Sequence, residues 1–274
     1  MPTLTFDCSH WISRDRYPVT ELDSPAGQAF LQDCRHQFRR EGVLELEGFV
    51  TSECLDALVE ESTRYEAMAF HSTVTGNAYL DQGDPRLPAD HARNLTESTT
   101  LGVVAYDQLP SDSVLRRLYE WEPLMKFVGA VLELPAIYRY ADPMGALNLS
   151  VMTEGEYLRW HFDQSDFVTS LAIQSAERGG AFEYVPALRS ADDENFDGVK
   201  AILQGSRQGV GLVPTLPGSL VLFRGRYCLH RVTPIEGSRS RLIGLLSYDT
   251  EPDRTGTDHL RQIRYGRTSP YTQE

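Results

Sequence analysis

Three residues of this chain have the types and spacing of a metal-ligand set: His161 and Asp163, on either side of Phe162, and His230 far downstream. Two imidazoles and one carboxylate can occupy one face of an octahedral Fe(II), leaving three positions open for a co-substrate and dioxygen. Alternate residues of a strand point the same way, so the first pair can come from one strand end. The second histidine must come from another strand, and its distance in sequence is then free. Arg241 follows eleven residues later, and its planar fork suits the far carboxylate of a bound dicarboxylic acid. The expected chemistry is O2 activation by Fe(II) with 2-oxoglutarate as co-substrate, acting on a small-molecule substrate.

An HxD tripeptide alone is a weak signal in a chain with seven histidines. Its setting strengthens it. The run from Gly155 reads as a strand closed by His161-Phe162-Asp163, and Gln164-Ser165 break it at once, placing both side chains at a strand end. Gly218 to Phe223 reads as a buried strand, Arg224-Gly225-Arg226 as a tight return, and Leu229-His230-Arg231-Val232 as the next strand. A histidine among apolar neighbours is more often a satisfied core residue than a ligand. This one falls at the turn–strand position opposite the HxD hairpin. Arg241 opens the apolar strand Leu242-Ile243-Gly244-Leu245-Leu246 and so points into a barrel. Buried there it needs an anionic partner, either an internal carboxylate or a bound one.

The elements that must position these residues are legible in the periodicity. Ala26, Phe30, Leu31, Cys34 and Phe38 recur at helical intervals, predicting a helix over 25–40 that Gly42 ends. A short strand over 43–46 follows, then a helix capped by Thr51-Ser52 and running to about 66. Residues 70–100 are rich in Gly, Pro, Asp, Asn and Thr and read as a long functional or disordered loop. A further helix is predicted over 111–132. Beyond it the pattern turns to strands, at 137–140, 146–153, 157–162, 167–174, 180–186, 210–213, 218–223, 229–233 and 241–248. An acidic insertion at 188–207 carries a short helix near 198–203. The expected fold is α+β: a double-stranded β-helix (jelly-roll, cupin-like) barrel buttressed by N-terminal helices. One catalytic domain over 1–274 is expected, with helical support and a lid loop in 1–136, the barrel in 137–250 and a tail in 251–274.

Bulk properties narrow the function classes. The 274 residues are 41% hydrophobic, enough for one large core. The net charge of −13, from 39 acidic and 26 basic side chains, argues against nucleic acid, whose phosphates call for a basic surface. No run approaches the roughly 18 uninterrupted apolar residues of a membrane span. The opening Met1-Pro2-Thr3-Leu4-Thr5-Phe6-Asp7 lacks the basic and apolar regions of a signal peptide. Cys8, Cys34, Cys54 and Cys228 have no CxxC spacing and read as reduced thiols, so a cytoplasmic location is expected. A homodimer is compatible with these helix faces.

These pieces resemble the Fe(II)/2-oxoglutarate-dependent dioxygenase superfamily, whose pattern of HxD, distal His and then Arg is matched by His161, Asp163, His230 and Arg241. Longer phrases are similar to a subgroup, the free-amino-acid halogenases and hydroxylases of the BesD/HalD type. They are Trp160 to Asp163, Glu177-Arg178-Gly179-Gly180-Ala181-Phe182-Glu183-Tyr184-Val185-Pro186, Leu222 to Arg226, Leu229 to Pro234, Leu246-Ser247-Tyr248-Asp249 and Tyr265-Gly266-Arg267. In the halogenases of this subgroup the carboxylate position is a glycine, and chloride takes the vacant place on iron. Asp163 fills that place here, so the resemblance implies a hydroxylase of a free, polar or cationic L-amino acid that converts 2-oxoglutarate to succinate and CO2.

Residues for the substrate are read less directly. Arg93 resembles the arginine with which relatives hold an amino-acid carboxylate. Asp142 and Asn148 flank the entry to the first barrel strands and could meet an ammonium or amide, although Asp142 before Pro143 is also an ordinary turn residue. Gln164 stands where the lysine-acting halogenases carry a charged residue. Tyr265 resembles an aromatic that closes over the substrate in relatives, and residues 70–100 and 253–267 are the candidate lid. The same oxidant also serves desaturation or cyclisation. Rival readings are a carrier-tethered, peptide or other natural-product substrate, and a cupin-like binding protein without redox chemistry.

Overall fold

The computed structural model describes residues 7–271; Met1 to Phe6, on which the reading of the leader rests, lie outside them. Helix α1 (Pro25–Glu41) starts where Ser24 accepts the Gly27 amide hydrogen at 3.0 Å, with proline at its first position. It ends at Gly42, whose φ of 69° supplies the left-handed residue that closes a helix. Strand β1 (Val43–Leu46) leads to α2 (Ser52–Tyr65), capped by Thr51 as expected. The helix predicted over 111–132 is two helices, α3 (Val114–Glu120) and α4 (Glu122–Leu132), broken at the extended Trp121. Pro123 is the physical reason. It lacks an amide hydrogen and its ring clashes with the preceding turn, so it is tolerated only in the first turn of a new helix.

The long loop expected over 70–100 is mostly not a loop. Strands β2 (Phe70–Asn77) and β3 (Thr96–Val104) pair antiparallel from Phe70↔Val103 to Asn77↔Thr96, and only residues 78–95 connect them. Threonine and serine side chains give these strands a polar face, with hydroxyls meeting across the ladder at Thr73–Thr100 (3.1 Å) and Thr75–Ser98 (2.9 Å). The connection itself is held by two asparagines. Asn77 accepts from the Tyr79 and Asp81 amides, and the Asn94 side chain donates to the carbonyls of Asp84, Leu87 and Pro88.

The remaining strands are β4 (Tyr138–Arg139), β5 (Leu147–Met152), β6 (Leu158–His161), β7 (Val168–Gln174), β8 (Arg178–Gly179), β9 (Phe182–Val185), β10 (Gly211–Val213), β11 (Leu220–Phe223), β12 (Leu229–Val232), β13 (Ile235–Glu236), β14 (Arg241–Leu246) and β15 (Tyr248–Asp249). Helix α5 (Phe196–Leu203) lies in the acidic insertion, and α6 (Asp258–Tyr265) forms in the tail. A seven-stranded sheet in the order β1-β11-β7-β14-β5-β3-β2 faces a four-stranded sheet, β10-β9-β12-β6, and every pairing is antiparallel. This is the jelly roll.

Side-chain alternation sorts the core into three layers. Leu149, Leu171, Leu220, Leu242 and Leu246 pack outward from the large sheet against Leu58, Leu115, Leu124 and Phe127 of the helices. Met152, Val221, Phe223, Phe182 and Val232 fill the barrel between the sheets. Trp160, Phe162 and Leu229 leave the small sheet on its outer side and are covered by Ala78 and Ala92 of the 78–95 connection and by Val199 and Ile202 of α5. The four cysteines are buried free thiols, and burial pushes Cys8, Cys34 and Cys54 up to about 12. No helix among the described residues is long and apolar enough to cross a membrane.

Candidate metal centre

His161 and His230 lie directly opposite each other in the β6–β12 ladder, with ring centroids 4.1 Å apart. Trp160 and Phe162 point outward from β6, so strand alternation turns His161 and Asp163 inward together. Asp163 stands just past the end of β6, held there by its amide donating to the Gly225 carbonyl at 2.9 Å. Gly225 is needed at this turn for space, because a Cβ would lie 2.8 Å from the Asp163 Cβ and overlap its carboxylate. Asp163 Oδ1 is 3.5 Å from His161 Nε2, and Oδ2 is 3.5 Å from His230 Nε2. The three ligand atoms lie within 4.8 Å of one another.

Each imidazole is aimed in the same way. His161 Nδ1 meets the carbonyl of Arg159, and His230 Nδ1 meets that of Cys228, both at 2.9 Å and both two residues upstream on the same chain segment. Facing an acceptor, each Nδ1 carries the proton, which leaves a lone pair on each Nε2 directed at Asp163. Burial, reinforced by the neighbouring His161, pushes His230 down to about 4, so it is neutral at physiological pH. Burial raises the Asp163 carboxyl, but the two histidines outweigh it and hold the group below its ordinary range. Asp163 Oδ2 is buried without a hydrogen-bond donor. Two imidazole nitrogens and an unsatisfied carboxylate oxygen fit a divalent first-row metal with iron's preferences. Phe182 and Phe223 pack against His230 at centroid distances of 5.6 and 4.9 Å and keep this side dry.

Arg241 opens β14 on the face opposite Leu242, and so points into the barrel. It is 7% exposed, and among the described residues it has no carboxylate partner; its nearest polar contact is the Met152 sulfur at 4.0 Å. Burial alone depresses its guanidinium to about 10. Gly180, at φ 64°, makes room for it, since a Cβ there would lie 3.0 Å from the arginine Cδ. The internal carboxylate that sequence reasoning left open is absent among the described residues. What remains is an anion seat suited to one carboxylate of a dicarboxylic acid.

The residues expected to meet substrate divide. Tyr265, on α6, donates its hydroxyl to Asn148 Oδ1 at 3.0 Å, so these two do come together at the barrel wall. Asn148 otherwise donates to the carbonyls of Met144 and Leu147. Asp142 has a different task from the one expected. It is 1% exposed, accepts from the amides of Met144, Gly145 and Gly256, and pairs with Arg261 at 2.8 Å, which clamps α6 onto the barrel. Its short side chain before Pro143 builds a turn, as such residues commonly do. Arg93 pairs with Asp81 at 2.6 Å inside the 78–95 connection. Gln164 is exposed at the turn after β6, where its backbone carbonyl accepts from Arg226. Sequence reasoning missed the paired carbonyls of Arg159 and Cys228, and the inward-facing side chain of Arg159 itself. Strand alternation from His161 was the available signal for the latter.

A family model described as halogenase D matches residues 26–261. No curated protein matches the chain in sequence. Among solved structures, the chain is similar to the non-heme α-ketoglutarate-dependent epimerase SnoN of nogalamycin biosynthesis, at 16% identity and a TM-score of 0.58 over 89% of this chain and 91% of that one. It is also similar to a prolyl hydroxylase from Trichoplax adhaerens, solved with a hypoxia inducible factor peptide (13% identity, TM-score 0.54, 83% and 92% covered). HygX from Streptomyces hygroscopicus, solved with nickel, 2-oxoglutarate and hygromycin B, is similar at 16% identity and a TM-score of 0.52 over 80% and 86%. At these identities the structural likeness is one of fold.

Proposed function

The chain belongs to the halogenase D family of Fe(II)/2-oxoglutarate-dependent oxygenases, and from that premise we propose that it hydroxylates a free, polar or cationic α-amino acid rather than halogenating one. The observation that carries this reading is Asp163, whose carboxylate reaches both histidines at 3.5 Å and keeps one buried oxygen unsatisfied. A halide would need the place on iron that this carboxylate would fill. When bound, iron and 2-oxoglutarate supply an oxidant from O2, with succinate and CO2 as co-products.

The chain's own contribution is placement and dryness. His161, Asp163 and His230 would hold the metal, and Arg241 would fix the far carboxylate of 2-oxoglutarate from the opposite sheet. The aromatic wall of Phe182 and Phe223 keeps water from the ligand set on the His230 side. Tyr265 closes the barrel wall beside Asn148, with α6 clamped in place by Arg261. With Asp142 buried and engaged by Arg261, the substrate would meet side chains on β5, β6 and α6.

The test is succinate release across a panel of free amino acids, with the mass of each product. One substrate that gains a single oxygen atom, in step with succinate, is expected. Asp163→Gly should abolish hydroxylation, with halogenation not guaranteed by the vacancy. Full hydroxylation in that variant contradicts a ligand role for Asp163. Indifference to every free amino acid, with turnover on a carrier- or peptide-bound one, replaces this substrate class by the tethered one.

A further inference from the structure

Arg159 stands two residues before His161 on β6 and leaves the strand on the same face, into the barrel. It is 7% exposed, yet its partners are neutral: Nη1 donates to the Thr99 hydroxyl at 2.9 Å and to the Val74 carbonyl at 3.3 Å. Its Nε is buried with no acceptor. The fold makes room for this head group, since a Cβ on Gly76 would lie 2.8 Å from Arg159 Nη2. Arg264 lies on α6, which packs on β2 and β3, the strands that hold the Arg159 head group. Its side chain is partly buried with no hydrogen bond or ion pair among the described residues, and its charge acts on both Arg159 and Asp163. The exposed Glu97 also acts on Arg159, from beyond ion-pairing distance.

A buried guanidinium without a counter-ion opposes folding by desolvation, and a second one nearby adds repulsion. A bound carboxylate relieves both, and the guanidinium fork is shaped for it. Arg241 lies on the other sheet, so this pair of cations is left for a different anion. We propose that Arg159 and Arg264 form a seat for a carboxylate of the substrate, beside the metal ligands and separate from the 2-oxoglutarate anchor. This deepens the amino-acid reading and rests on it for the rest of the substrate. The seat holds either the α-carboxylate or an acidic side chain, and it turns a cationic side chain away from this corner.

The test uses protein loaded with Ni(II) and 2-oxoglutarate, titrated calorimetrically with the protein amino acids, their α-carboxamides, and the same acids lacking the amino group. A free acid should bind at least about tenfold more tightly than its amide in the wild type. Arg159→Gln should remove that preference while leaving 2-oxoglutarate affinity and the circular dichroism spectrum unchanged. Arg264→Gln should weaken it, and Arg159→Lys should keep part of it. Loss in the α-carboxamide comparison assigns the seat to the α-carboxylate, and loss in the Glu/Gln and Asp/Asn comparisons assigns it to a side chain. A preference for acid over amide that survives both glutamine variants, or none in the wild type, overturns the proposal. Acids without an amino group that bind through Arg159 while amino acids do not would leave the seat standing and remove the amino-acid reading. Amino-acid oxidation indifferent to both arginines would do the reverse.

Discussion

Replacing Arg241 with methionine should stabilise the ligand-free protein and abolish its response to 2-oxoglutarate. Burial alone depresses this guanidinium to about 10, and at about 1.4 kcal/mol per pK unit that weighs roughly 3 kcal/mol against the charged folded state. Because its folded value of about 10 and its higher unfolded value both lie well above 7, this base is charged in both states at neutral pH. The whole penalty is therefore present at pH 7 and is relieved only as the pH climbs through about 10. Methionine keeps the apolar stem beside Gly180 and Met152, at a packing loss of about 1 kcal/mol. The net gain is about 2 kcal/mol, or about 5 °C in Tm for a chain of this size. Saturating 2-oxoglutarate at about a hundred times its Kd should stabilise the metal-loaded wild type by about 2.7 kcal/mol and leave the variant unmoved. Urea unfolding of both proteins, with and without metal and co-substrate, measures all four states. A variant less stable than the ligand-free wild type would mean that the guanidinium is already compensated within the fold. Undiminished stabilisation by 2-oxoglutarate would place the anchor elsewhere.

Gly225→Ala should cut metal affinity by about 10–100-fold, because its Cβ displaces Asp163 beyond the roughly 0.2 Å that ligand distances tolerate; competition with a chromogenic chelator reads this, and unchanged affinity would refute the steric argument. Metal-free protein should lose about 3 kcal/mol as the pH falls from about 6.5 to 4, since burial holds His230 below its unfolded value and the unfolded chain takes the proton first. Asp163 titrates lower and contributes little in that window, so a flat urea midpoint between pH 7 and 4.5 would contradict a neutral His230. Arg261→Met should cost about 2–3 kcal/mol by leaving Asp142 buried with only backbone donors, and should raise hydrogen exchange in α6; intact protection of that helix would show that Arg261 does not hold it.

The barrel was readable because its strands alternate cleanly and its turns carry glycine, and His161, Asp163 and His230 were readable because metal ligation demands particular side chains at strand ends. The β2–β3 hairpin was hidden by its own chemistry. Thr73, Thr75, Ser98 and Thr100 give it a polar outer face with the composition of a loop, and only β-branching distinguishes the two. The break at Trp121 lay in the covalent structure of Pro123, which the apolar period over 111–132 overrode. Asp142 looked like a substrate contact because a carboxylate near a barrel entry has no visible partner in one dimension. Arg261 lies 119 residues from Asp142, a separation that local pattern cannot bridge.

The aiming of the two imidazoles has an evolutionary corollary. Their orienting acceptors are main-chain carbonyls, which no point mutation deletes, so drift in the surrounding side chains leaves the nitrogen pair pointing where it does. The carboxylate is in the opposite position: it is a single side chain, replaceable by one codon, next to a glycine that already tolerates nothing larger. The centre thus joins a genetically robust half to a labile one: a single substitution at Asp163 would change the ligand set and leave the histidine frame in place.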